Sequence, residues 1–292
     1  AILTFGFINQ SIIGWPWHIL LASFIMFVLG VYDDFKPIPP PQKLIVQLIA
    51  AGIAIYFGDV IRFFPWPIAN IMLTFVWLVG ITNAINLLDN MDGLASGVSM
   101  IAAGVLSYFF WQEGNHTLLV VSLSLAGAIL GFLMFNFPPA KIFMGDSGSI
   151  LLGFTLAALA VARTRQASNV FAIMGVPILI FLLPILDTAL VTITRLMRGQ
   201  SPTQGGTDHT SHRLIAFGLS ERQAVLFLYG VALLSGFSSA LLEALNYELS
   251  LVMIPILLIS LAIFTAYLGR LKVVTSITPT RGSLGWLVQE LT

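Results

Sequence analysis

The chain has 292 residues, 58% hydrophobic and only 9% charged, with a formal net charge of zero and no cysteine. With a mean hydropathy of +0.95, that composition excludes a soluble globular domain and predicts an all-α, polytopic transmembrane helical bundle. Zero net charge gives no ground for a nucleic-acid partner, and the lack of cysteine excludes disulfide and thiolate chemistry.

Apolar stretches recur at 18–32, 44–58, 70–88, 94–111, 118–136, 149–162, 170–195, 222–245 and 251–269. These are nine predicted spans, most near the roughly 20 residues that a bilayer requires. Residues 1–13 read as a further span that begins abruptly, which makes about ten in a single integral membrane domain over 1–292. No signal peptide and no initiating Met are present, so a processed or truncated start is expected. Phe63-Phe-Pro-Trp-Pro67 predicts a short extended turn rather than helix.

Basic residues orient the bundle. With 32–43 placed in the cytoplasm, alternation puts 89–93, 137–148, 196–221 and the C-terminus on the same side. Those regions and their helix ends carry Lys36, Lys43, Lys141, Arg195, Arg198, Arg213, Arg222, Arg270, Lys272 and Arg281, ten of the 13 Lys and Arg residues. Arg62, Arg163 and Arg165 fall outside the pattern, and the last two raise the prospect that the span at 149–162 is misplaced. Trp15, Trp17 and Trp66 sit in outer connections, where interfacial aromatics belong.

The same orientation brings every acid-rich motif to one face. Tyr32-Asp33-Asp34-Phe35 ends one helix and Lys43 begins the next. Asn83, Asn86 and Asn90 fall on one side of a helix with Asp89 at its edge, and the run closes at Asp92-Gly93. Phe143-Met-Gly-Asp146-Ser-Gly-Ser149 opens another helix, and Asp208-His209-Thr-Ser-His212-Arg213 lies in the longest connection. An aspartate at mid-bilayer costs roughly 2.5 to 3.5 kcal/mol on insertion scales, so such groups need a compensating role.

Singly, each motif has a bland explanation: a solvated helix end, an N-cap with turn glycines, loop histidines, or amides bonding across helices. None of these explains why all four fall on one side, which is the pattern of a site. Asp33, Asp34, Asp89, Asp92 and Asp146 are hard oxygen donors, which points to phosphoryl transfer with Mg²⁺, Mn²⁺ being the alternative ion. The helices opening after Asp92 and Asp146 direct free N–H groups toward the same face, and Lys43 and Arg213 offer cations for phosphate.

These four motifs, in this order, resemble the polyprenyl-phosphate N-acetylhexosamine-1-phosphate transferase family, which includes the phospho-N-acetylmuramoyl-pentapeptide transferases. The resemblance covers nearly the whole chain, and Asp208-His-Thr-Ser-His-Arg-Leu214 is similar to the WecA/TagO-like branch. It implies transfer of N-acetylhexosamine 1-phosphate, with GlcNAc as the first choice of sugar, from a UDP-N-acetylhexosamine to polyprenyl (undecaprenyl) phosphate. UMP leaves, at the cytoplasmic face of a bacterial plasma membrane, as the first lipid-linked step of envelope glycan synthesis. The resemblance also implies roles: Asp146 as principal Mg²⁺ ligand with Asn86 near the metal and Asn83 in support; Asp33 and Asp34 on the lipid phosphate; Lys43 on phosphate. Asp92 and Phe143 would meet uracil, with Asp89 nearby, while His209, His212 and Arg213 would meet sugar and diphosphate.

The chain departs from that family at three places. Asn90 stands where Gly is frequent, Ser211 where many bacterial members carry a middle His, and the family's first helix and its basic loop have no counterpart here. A homodimer is open. A transporter with an acidic ion site is the alternative reading, although such sites belong near mid-membrane within inverted repeats; an intramembrane aspartyl protease is a more distant one, since Phe143 replaces the first Gly of its Gly-x-Gly-Asp signal. Asp187, after Pro184 in a long span, joins the site only if that helix bends.

Overall fold

Proline and glycine punctuate the apolar runs into ten helices, seen in a computed structural model that describes residues 15–164, 170–200, 206 and 208–244. They are α1 (Trp17–Phe35), α2 (Pro40–Tyr56), α3 (Pro67–Leu88), α4 (Leu94–Gln112), α5 (His116–Asn136), α6 (Gly145–Thr164), α7 (Val170–Ile180), α8 (Leu182–Met197), α9 (Thr210–Ala216) and α10 (Glu221–Ala244). Proline at the first turn starts α2 and α3, where the missing N–H would have had no partner anyway. Asn115 caps α5 by accepting from the Leu118 N–H at 3.1 Å. Gly93 and Gly145 adopt φ of 74° and 66° at the starts of α4 and α6, a left-handed conformation that glycine enters without Cβ strain.

Six of these helices are long and apolar enough to cross a membrane, and the bent pair formed by α7 and α8 makes a seventh if counted as one span. The predicted stretch at 44–58 corresponds to the 17-residue α2. The stretches at 1–13 and 251–269 lie outside the described residues. The predicted single span at 170–195 is two helices meeting at 77°. Pro184 accounts for the break: it cannot donate to the Ile180 carbonyl and its ring crowds that group, so helix stops at Ile180 and resumes at Leu182.

The helix α6 is the centre of the bundle, with 72% of its apolar window buried against 22% for the peripheral α5. Two glycines make this possible. A Cβ on Gly30 of α1 would stand 2.5 Å from the Asp146 carbonyl oxygen, and one on Gly153 of α6 would stand 2.8 Å from the Thr82 Cα of α3. Both helices therefore lie backbone to backbone on α6, which sets Asp33, Asp34 and Asn86 around its first turn.

At the opposite end, the predicted extended turn at 63–67 is confirmed, with helix resuming only at Pro67. Asn70 holds it by accepting from the Phe63 and Phe64 N–H groups at 3.1 and 2.7 Å. Arg163 also lies at this end, and the span that carries it is not misplaced: α6 runs on to Thr164. The buried guanidinium pairs with Glu113 at 3.1 Å and with Glu243, and stacks 4.0 Å from the Phe109 ring. Arg165 lies outside the described residues.

Candidate active site

Asp146, in the first turn of α6, is the point on which the other groups converge. Its Oδ2 accepts from Lys43 Nζ at 2.9 Å and its Oδ1 from Asn86 Nδ2 at 2.8 Å. Asn86 also donates to Ser149 Oγ at 2.8 Å, and Ser149 in turn donates to the Gly145 carbonyl at 2.8 Å, so the amide is held from both sides. Lys43 pairs with Asp33 as well, while Asp33 Oδ1 accepts from the Ile38 N–H at 2.6 Å and fixes the turn between α1 and α2. The Asp34 carboxylate of α1 accepts from the N–H groups of Asp146 and Ser147 at 2.7 and 3.1 Å. This is an N-cap supplied from another helix, and it places an anion where the α6 dipole is positive.

A cavity of about 440 Å³ opens beside this cluster, lined by Asp34, Asn86, Asp89, Asp92, Phe143 and Asp146 together with Asn90, Met91, Asn136, Met144 and Gly145. Burial, and then the charges of Asp146, Asp92 and Asp34, push the Asp89 carboxyl up to about 6. Asp92 Oδ2 accepts from the Ala140 N–H at 2.8 Å and so ties the loop after α3 to the loop before α6. The Phe143 ring is 77% exposed at the cavity wall, available for stacking.

Other predicted residues stand further back. Asn83 is paired with Gln47 of α2, donating to its Oε1 at 2.8 Å and accepting from its Nε2 at 3.1 Å. Asp33 and Lys43 reach the cavity through Asp146 rather than lining it. His209, His212 and Arg213, on α9 and at its N-terminus, do not line the cavity either. Arg195 grips Asp208 with two bonds, 2.9 Å from Nε and 2.5 Å from Nη2, and Arg213 Nε donates to the Asp208 carbonyl at 2.9 Å. Burial works to raise the Asp208 carboxyl, yet Arg195, a backbone hydrogen bond and the charge of His209 together hold it below the ordinary value. The His212 imidazole is lowered, first by burial and then by its neighbour His209.

The bend between α7 and α8 brings in a residue that the motifs alone did not assign. Asp187, 1% exposed, lies 2.7 Å from His209 Nδ1 and accepts from the Thr210 N–H at 2.7 Å. A carboxylate only accepts, so Nδ1 carries the proton and Nε2 is left as the ring's outward nitrogen. The signal was an acid shortly after a helix-breaking proline. Gln47 and Arg195 carried no comparable signal, one being a single amide on an apolar helix and the other indistinguishable from topology-setting charge.

Four hard carboxylates at one cavity, with an N–H-rich helix start and a lysine beside them, make a place for a cation together with phosphate. Among the described residues no three His, Asp or Glu side chains stand close enough to enclose an ion by themselves.

Comparison with known proteins bears on this geometry. Residues 16–164 match the glycosyl transferase family 4. Over 260 residues the chain is 36% identical to the probable undecaprenyl-phosphate N-acetylglucosaminyl 1-phosphate transferase of Bacillus subtilis (strain 168), covering 86% of this chain and 72% of that protein. It is 34% identical over 256 residues to the decaprenyl-phosphate N-acetylglucosaminephosphotransferase of Mycolicibacterium smegmatis, covering 78% of this chain and 62% of the relative. A phospho-N-acetylmuramoyl-pentapeptide-transferase of Streptococcus gordonii is 39% identical over 167 residues, 51% of each chain. The chain thus spans somewhat over two thirds of the first of these relatives and less than two thirds of the other two.

Proposed function

The chain belongs to glycosyl transferase family 4, and on that premise we propose that it transfers N-acetylglucosamine 1-phosphate from its UDP derivative to polyprenyl phosphate. The observation that carries this reading is the open, acid-lined cavity at which Lys43, Asn86 and Asp34 converge on the first turn of α6. An oxygen of the lipid phosphate attacks the β-phosphorus of the nucleotide sugar; the bond from that phosphorus to the bridging oxygen breaks, and UMP leaves with the electron pair. One phosphoanhydride replaces another, so alignment and charge neutralisation are the tasks that fall to the protein.

The residues divide these tasks. Asp146, with Asn86 beside it, would hold Mg²⁺, which supplies neutralisation of the diphosphate and the leaving phosphate. Phe143 offers a face to uracil and Asp92 a hydrogen-bond acceptor. Lys43 meets the lipid phosphate, and a second pKa near 6 leaves that phosphate largely ionised at neutral pH, so it needs little help from a base. The lipid tail has a place next to Lys43: an apolar groove of about 520 Å³ between α2 and α3, lined by Ile45, Leu48, Ile49, Met72, Phe75 and Val76. The basic residues on the connections at this end argue for the cytoplasmic face, and the relatives argue for a bacterial cell membrane.

Purified protein supplied with UDP-GlcNAc, polyprenyl phosphate and Mg²⁺ is expected to release UMP and to form a lipid diphosphate sugar identifiable by mass. UDP-GalNAc in a parallel reaction tests the choice of sugar. UMP release that ignores the lipid, or movement of sugar across vesicles without UMP, would overturn the proposal.

A further inference from the structure

The two positions at which the motifs depart from the family pattern are bonded to each other. Ser211 Oγ donates to Asn90 Oδ1 at 2.6 Å, joining residues 121 apart in the chain. Ser211 is 1% exposed, so this hydroxyl is committed to a protein partner rather than to water. The other end of the Asn90 carboxamide donates from Nδ2 to the Leu87 carbonyl at 2.8 Å, which leaves its oxygen, not its nitrogen, facing Ser211. Asn90 meets no backbone penalty for replacing glycine: among the described residues no non-glycine has positive φ, and the left-handed turn of this loop falls on Gly93.

We infer that the Asn90–Ser211 hydrogen bond is a positioning strap that locks the histidine-bearing segment 208–213 to the wall of the nucleotide cavity; this rests on the transferase reading above. From α8, Asp187 holds His209 and Thr210, and Arg195 holds Asp208. They fix the segment to a helix outside the cavity lining. Leu214 packs in one apolar cluster with Leu88 and Met91, but such contact is non-directional and leaves the segment free to slide. The Ser211 bond supplies direction, and it joins the segment to Asn90, which lies between Asp89 and Asp92 on the cavity wall. Asn90 and Ser211 thus act through His209 and His212, setting their distance from a bound diphosphate.

The test is a double-mutant cycle of Asn90→Ala and Ser211→Ala, read in two ways on the full chain in detergent. In UMP release, each single variant is expected to lose about tenfold in kcat, the equivalent of one buried hydrogen bond, while KM for UDP-GlcNAc moves less than twofold. The double variant should be no slower than the slower single, because both remove the same bond. In hydrogen exchange, each single variant should speed exchange of the 209–213 amides to the same extent, again without further gain in the double. Multiplying effects in either readout, or wild-type kcat and exchange in Ser211→Ala, would overturn the strap. Should Ser211→Ala fail to fold, Asn90→Ala removes the same bond from its half-buried side and carries the exchange test. A wild-type chain that releases no UMP would defeat the transferase reading, while the exchange cycle still decides the strap.

Discussion

At one end of the bundle the carboxylates of Asp34, Asp89, Asp92 and Asp146 line an open cavity, with Lys43 as the cation seated on Asp146. At the other end Arg163 is enclosed between Glu113 and Glu243 against the Phe109 ring, and His18 is paired with Asp59 at 2.7 Å. Both ends gather charged side chains at the helix termini of a membrane bundle. They differ in balance and in access. The far end brings opposite charges together around a buried guanidinium, which is how a protein uses ionic groups to hold helices. The cavity end leaves one sign in excess beside open volume, the feature on which the proposed site for a cation with phosphate rests.

Substitutions can separate these two uses of charge. The largest effect is expected from Asp146→Asn, which should lower UMP release by at least about a thousandfold and far more than His209→Ala does; its melting temperature in detergent should fall less than that of Arg163→Ala, since Lys43 keeps Asp33 as a partner. Normal turnover of Asp146→Asn at limiting Mg²⁺ would show that the convergence on this residue is structural after all. Arg163→Ala should do the reverse. Removing the buried guanidinium from between the half-buried Glu113 and the exposed Glu243 is expected to cost up to about 3 kcal/mol in unfolding experiments, while surviving folded enzyme keeps its kcat. A comparable loss of kcat in both variants would erase the distinction between the ends.

Gly30→Ala tests the link between packing and site. Its Cβ meets the backbone of the first turn of α6, so about 1 to 3 kcal/mol of destabilisation is expected, with loss of activity as Asp34 withdraws from Asp146. The smallest effect is a pH signature of the far end. Burial pushes the Glu113 carboxyl up to about 7 from 4.5, with the opposing pull of Arg163 and the push of Glu243 following. Between those values the folded protein keeps a proton that the unfolded chain has lost, so Glu113 makes stability fall as pH rises from about 4.5 to 7 and adds no slope above. Glu113→Gln should lack that component, seen as a melting-temperature difference from wild type that changes only within that window.

The membrane bundle and the main site residues were legible because polar groups in apolar surroundings are costly enough to stand out. Asp34, Asn86 and Asp146 are such groups, and the structure joins them. Asn83 stood out equally, yet its partner is Gln47, a lone amide on α2 whose facing position depends on helix packing rather than on any local pattern. The contact of Asp187 with His209 required the direction of the bend at Pro184, and a proline announces a break without saying where the chain turns. Asn90 and Ser211 read separately as irregularities, since nothing in a linear pattern shows that two such positions are neighbours.

The cap that Asp34 places on α6 comes from 112 residues earlier in the chain. A helix start is ordinarily completed by its own neighbours in sequence; here it is completed by a residue that also lines the candidate cavity. Assembly of the centre and docking of α1 on α6 are therefore one event, and a misfolded intermediate lacking that docking has no partial site to offer. Damage to that docking is therefore expected to lower the number of working copies rather than the quality of each.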